Sequence, residues 1–239
     1  MSVDPISECL PGIADHLLTV SMPALGGDLT RVRERHLSDA VREVVGRHLK
    51  TTVVSTVVKV PEWPRLGQSG TDFVVDWPPG SRRFRHVGEL KWCQIGHDKV
   101  YEAIWDLFKM ALVSRQPGVR TAHLITGAPA EMWPIAFCGD LFDGGTFSSD
   151  ELCARRFGVG SKRLAWDYLL EGGYDRYPDR VPAEITATPV HEPVAIRVDE
   201  HTWELRVVAV STTVRRDDMP FEGGWPRGLR PPDARRPSP

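Results

Sequence analysis

With 239 residues, 41% of them hydrophobic and 26% charged, the chain has the composition of a globular protein large enough to bury a sizeable core. A net charge of −2 argues against a basic coat that would hold nucleic acid non-specifically, while leaving room for a local basic groove. No apolar run reaches membrane-spanning length, no basic segment leads into an apolar one, and Cys9, Cys93, Cys138 and Cys153 form no CxxC pair. A cytoplasmic protein with buried, reduced thiols and no membrane partner is therefore expected.

In chain order, residues 1–27 read as an irregular segment broken by Pro5, Pro11 and Pro23, with room for a short helix at Ile13 to Val20. Asp28 is placed as the N-cap of a helix running from Leu29 to Lys50, whose stripe is Leu37, Val41, Val44 and His48. Thr51 to Val60 (TTVVSTVVKV) is the most β-prone run and predicts a central strand. After a polar loop, Thr71 to Trp77 and Phe84 to Trp92 predict two strands joined at Pro78-Pro79-Gly80-Ser81. A helix follows from about His97 to Val113, and then a buried strand over Arg120 to Thr126.

Short helices are expected at 150–157 and 162–170, and a second hairpin, Val194 to Val198 with Thr202 to Ser211, turns at Asp199-Glu200-His201. From Arg215 the chain is rich in Pro, Gly and Arg and reads as a flexible tail. The order predicts an α/β (α+β) domain, a mixed central sheet flanked by helices, over residues 28–170. Residues 171–214 add a C-terminal β extension, and 215–239 the tail.

Charge placement on the first hairpin carries the chemistry. Alternate residues of a strand share a face, so Asp72, Val74 and Asp76 go together, as do Glu89 and Lys91. A register with Asp72 opposite Glu89 also pairs Val74 with Val87 and Asp76 with Arg85, bringing two acids and a lysine together. Carboxylates are hard oxygen ligands for Mg²⁺, and a lysine two residues on, on the same face, can hold a water or neutralise developing charge. Other motifs carry less. Gly158-Val159-Gly160-Ser161-Lys162 lacks the GxxxxGK[ST] spacing, His86 reads as a packed strand histidine, and Trp63 is a weak base-stacking candidate.

Asp72, sixteen intervening residues, and Glu89-Leu90-Lys91 resemble the signature of the PD-(D/E)XK (restriction-endonuclease-like) nuclease superfamily. The resemblance spans roughly Asp28 to Thr126 and departs from the pattern in having Thr71, not proline, before Asp72. It implies a metal-dependent nuclease using Mg²⁺ (or Mn²⁺) on DNA rather than RNA, with Asp72 and Glu89 as ligands and Lys91 positioning the water. It also implies a third acid on the preceding helix. Glu34 lies beside the apolar stripe and is preferred, with Glu43 in reserve. Gln94 or Lys109 would match a polar residue lent by the next helix, although a solvated face with Glu102, Asp106 and Lys109 as surface charges is the favoured reading there. The alternatives to an enzyme are an inactive nuclease fold serving as a nucleic-acid-binding or assembly subunit, and an unrelated α+β domain in which Glu89 and Lys91 form a surface ion pair worth little. Cutting both strands of a duplex would call for a homodimer.

Overall fold

The computed structural model describes residues 4–56, 71–76, 85–93, 100–133, 141–148 and 184–212. The expectations for Trp63, Gln94, the Gly158–Lys162 stretch, the helices at 150–157 and 162–170 and the tail from 215 lie outside them.

The N-terminal segment is helical rather than irregular. A 3-10 turn at Ser7–Cys9 leads into α1 (Leu10–His16), a wider π-type turn (Leu17–Ser21) and α2 (Met22–Ala24). Leu10, Ile13, Ala14 and Leu17 recur at helical spacing and are all buried. Pro11 and Pro23 stand in first turns, where the missing N–H has no partner to lose, so residues read as breakers are helix starters. Asp28 caps one 3-10 turn (Leu29–Arg31), accepting from Thr30 N at 2.8 Å. The long helix α3 then begins later than expected and covers Glu34–Leu49, burying Leu37, Ala40, Val41, Val45 and Leu49. His48 is exposed and meets Glu8 at 3.3 Å, so the predicted stripe is right except at that position.

Among the described residues eight strands form one mixed sheet, in the order β1-β2-β3-β4-β8-β6-β5, with β7 also pairing β8. These are β1 (Val54–Thr56), β2 (Thr71–Asp76), β3 (Arg85–Trp92), β4 (Val119–Pro129), β5 (Gly145–Ser148), β6 (Glu184–Pro189), β7 (Val194–Val198) and β8 (His201–Ser211). Among the described residues β1 lies at the edge of the sheet rather than at its centre. The middle is β3, β4 and β8. β3 and β4 run parallel, joined through helix α4 (Val100–Val113), and the other pairings are antiparallel. The second hairpin forms as predicted, from Val198 paired with His201, and it extends the main sheet because β8 lies along β4.

Helices cover both faces. On one, α4 packs over Val74, Val87, Ala122, Leu124, Val208 and Val210. On the other, α1 and α3 cover Phe73, Val75, Leu90, Ile125 and a Trp92–Trp203 stack with ring centroids 4.7 Å apart. Leu107, Phe108, Met110, Ala111, Leu112 and Val113 of α4 are all essentially inaccessible, so the C-terminal half of this helix is buried all round instead of half-solvated. Cys9 and Cys93 are buried, and burial pushes the Cys9 thiol up to about 12. Among the described residues no helix is long and apolar enough to cross a membrane.

Candidate active site

β2 and β3 pair antiparallel with Val74 opposite Val87 and Asp76 opposite Arg85, the register inferred from the charge pattern. Continued by one residue, it sets Asp72 against Glu89. One Asp72 oxygen accepts from the Leu90 backbone N–H at 2.8 Å, which ties the acid to the strand that carries Glu89 and Lys91. The alternation of β3 turns Val87, Glu89 and Lys91 toward α4, and His86, Gly88 and Leu90 toward α1 and α3.

On α4, Asp106 and Lys109 are one turn apart and face this same patch. Lys109 Nζ stands 2.5 Å from Glu89 Oε1, with the two side chains only 7% and 6% exposed. Lys91 Nζ lies 3.3 Å from Asp106 and 3.4 Å from Glu34, the first residue of α3. Glu34 is partly exposed and forms the rim, with its side chain 35% exposed. The structure thus brings together Glu34, Asp72, Glu89, Lys91 and Lys109, all named from sequence. It leaves Glu43 outside, paired with Arg47 on the exposed face of α3. Lys109 and Asp106 are buried, so the reading of these two as surface charges is overturned; the Glu102 side chain lies outside the described residues. Asp106 is the residue the sequence reading missed as a site member. Its one signal was its position a single turn before Lys109.

Four carboxylates face two ammonium groups here, and that excess has consequences. Burial drives the Glu89 carboxyl well above its ordinary range, the nearby charge of Asp106 adds to the shift, and Lys109 counters it. Burial likewise lifts Asp106 from 3.8 to about 6, against the pull of Lys91 and Lys109. Buried acids with shifted proton affinities make this patch a candidate site, a pattern that structural ion-pair networks share. The donor set also fits a hard divalent cation by kind. Its carboxylate oxygens repel one another, and a cation beside Asp72, Glu89 and Asp106 would relieve that repulsion. Lys109 already supplies part of the same relief, so a cation at Glu89 would have to share that carboxylate with it.

Set against known proteins, the chain matches no family, no curated protein and no solved structure.

Proposed function

We propose that the chain is a metal-dependent nuclease of the PD-(D/E)XK kind that hydrolyses phosphodiester bonds in DNA, with Mg²⁺ or Mn²⁺ as its ion. The observation that supports this most is the convergence of Asp72, Glu89 and Lys91 from adjacent strands on the buried Asp106–Lys109 pair of α4. Asp72 and Glu89 would hold the ion, with Asp106 and Glu34 as the next oxygen donors. When bound, the ion polarises a phosphoryl oxygen and acidifies a water. The chain's own residues do the rest. Lys91, tethered between Glu34 and Asp106, presents an N–H toward an incoming water or a developing oxyanion. Lys109 opposes the upward pull of burial on the Glu89 carboxyl, and the Asp72 bond to Leu90 N–H holds the two strands in register at the reacting end. A homodimer would supply the second site needed to cut a duplex.

One observation favours a second reading. Glu89 already has a buried cationic partner, and such an ion pair can be a finished structural feature of an inactive nuclease-fold protein that binds nucleic acid or assembles with other subunits. A cleavage assay on supercoiled, linear and single-stranded DNA and on RNA, with and without Mg²⁺ or Mn²⁺, decides between them. Metal-dependent cleavage lost in folded Glu89→Gln and Lys91→Ala supports the nuclease. Direct linearisation of plasmid, rather than nicking, supports paired sites. Binding without cleavage selects the inactive subunit, and neither activity nor binding refutes both readings.

A further inference from the structure

A second cluster of metal-ligating side chains stands on the opposite face of β3 from Glu89 and is independent of the nuclease reading. His86 on β3, His123 on β4 and Asp4, just ahead of the first helical turn, bring one ligand atom each to within 4.8 Å of one another. His86 and His123 are sealed in, 1% and 0% exposed, with ring centroids 5.7 Å apart. His123 sits opposite Gly88 in the parallel register. The missing side chain matters there, because a Cβ on Gly88 would come within 2.2 Å of the Phe73 ring and 3.1 Å of the His123 carbonyl oxygen.

Satisfaction of the polar atoms is what points to a ligand. Buried imidazoles ordinarily use both ring nitrogens in hydrogen bonds. Among the described residues neither nitrogen of His86 has a hydrogen-bond partner, and Nδ1 of His123 has none either. Nε2 of His123 lies 3.0 Å from Oδ2 of Asp4. The two Asp4 oxygens divide their work. Oδ1 accepts from the backbone N–H groups of Ile6 (2.9 Å) and Ser7 (3.2 Å), while Oδ2 points at the histidines.

We propose that Asp4, His86 and His123 form a transition-metal site that takes Zn²⁺ or a similar borderline divalent ion and fastens the N-terminal helical segment to the centre of the sheet. Two imidazoles and one carboxylate select against Mg²⁺, which prefers oxygen, and suit Zn²⁺ with a fourth position left for water. The solvent side is at Asp4, whose side chain is 17% exposed. A metal takes each imidazole in its neutral form, through one ring nitrogen. His123 can carry its proton on Nδ1 and offer Nε2. Bonds of about 2.0–2.2 Å place tetrahedral ligand atoms roughly 3.5 Å apart, so closure asks small side-chain rotations of the widest pair. His123 and Asp4 are 119 residues apart in sequence, which makes the ion a long-range tie.

The test is Co²⁺ titration of the metal-stripped full chain, read by visible d–d absorption, with Zn²⁺ competition and metal analysis of the protein as purified. One equivalent of Co²⁺ in a strong four- or five-coordinate N/O band is expected. It should be displaced by Zn²⁺, indifferent to excess Mg²⁺ and retained in Glu89→Gln, which separates it from the nuclease site. His86→Phe keeps a flat aromatic ring without ligand atoms and Asp4→Asn keeps the Oδ1 cap; both should weaken binding about 100-fold or more with an unchanged far-ultraviolet spectrum. Absence of the band in folded wild type, or equal affinity in folded His86→Phe, overturns the site. Zn²⁺ binding that leaves Tm unchanged overturns the fastening role.

Discussion

Replacing Lys109 by Met isolates the electrostatic work done at Glu89, because Met retains most of the apolar stem and removes only the ammonium group. The Glu89 carboxylate, 6% exposed, then faces Asp106 and Asp72 without the lysine at 2.5 Å. A buried carboxylate can always relieve itself by taking a proton, and that sets a ceiling on the loss. The 2.5 pH units between its ordinary value of 4.5 and pH 7 amount to ~3.4 kcal/mol at about 1.36 kcal/mol per unit. Wild type already carries part of this cost, since its Glu89 is held well above 4.5, so a loss of about 1–3 kcal/mol at pH 7 is expected. An acid whose folded pKa exceeds its unfolded one leaves the folded state holding extra protons. Stability therefore declines as pH rises above 4.5 toward the folded value. The gap between Lys109→Met and wild type should accordingly shrink as pH falls, to under ~0.7 kcal/mol at pH 5. Urea denaturation with EDTA at pH 5, 6, 7 and 8 measures this, and adding Glu89→Gln to Lys109→Met should restore most of the loss. An equal loss at pH 5 and pH 8 would refute the argument and mean that Lys109 acts through packing.

Because Glu89 and Asp106 must shed protons to face a cation, metal-dependent cleavage should fall as pH drops through about 6, and Asp106→Asn should move that limb to lower pH. A kcat/KM profile at saturating Mn²⁺ that stays flat down to pH 5 would contradict this. Gly88→Ala forces a methyl into the Phe73 ring at 2.2 Å and should cost about 1–3 kcal/mol in a thermal or urea melt; an unchanged Tm would mean β2 and β3 do not pair as described. Ile13→Ala removes a fully buried side chain of α1 and should cost about 2–5 kcal/mol, whereas a loss near zero would place α1 outside the cooperative core.

The hairpin register was legible because strand side chains alternate with a period of two. Only one alignment buries Val74 and Val87 while opposing Asp76 to Arg85 and Asp72 to Glu89. The β7–β8 hairpin was legible for the same reason, together with its polar turn. Local signals failed where they point two ways. Pro11 and Pro23 mark breaks or first turns alike, and only the burial of Leu10, Ile13 and Leu17 decides for helix. β5 and β6, Gly145–Ser148 and Glu184–Pro189, are too short and mixed to announce themselves, and become strands by pairing with each other and with β8. β propensity told that residues near Val54 extend, but not that β1 lies at the sheet's edge.

By itself, then, the sequence determined the alternation that sets Asp72, Glu89 and Lys91 on one patch, and the helical stripe that leaves Glu34 beside it. Both follow from backbone periodicity, which is local. Tertiary structure alone decided that Asp106 and Lys109 are buried partners of that patch, because α4 crosses between β3 and β4 and also meets β6 and β8. It alone also joined Asp4 to His86 and His123. A side chain's electrostatic environment depends on every element packed around it, and residues this far apart along the chain have no sequence pattern that records their meeting.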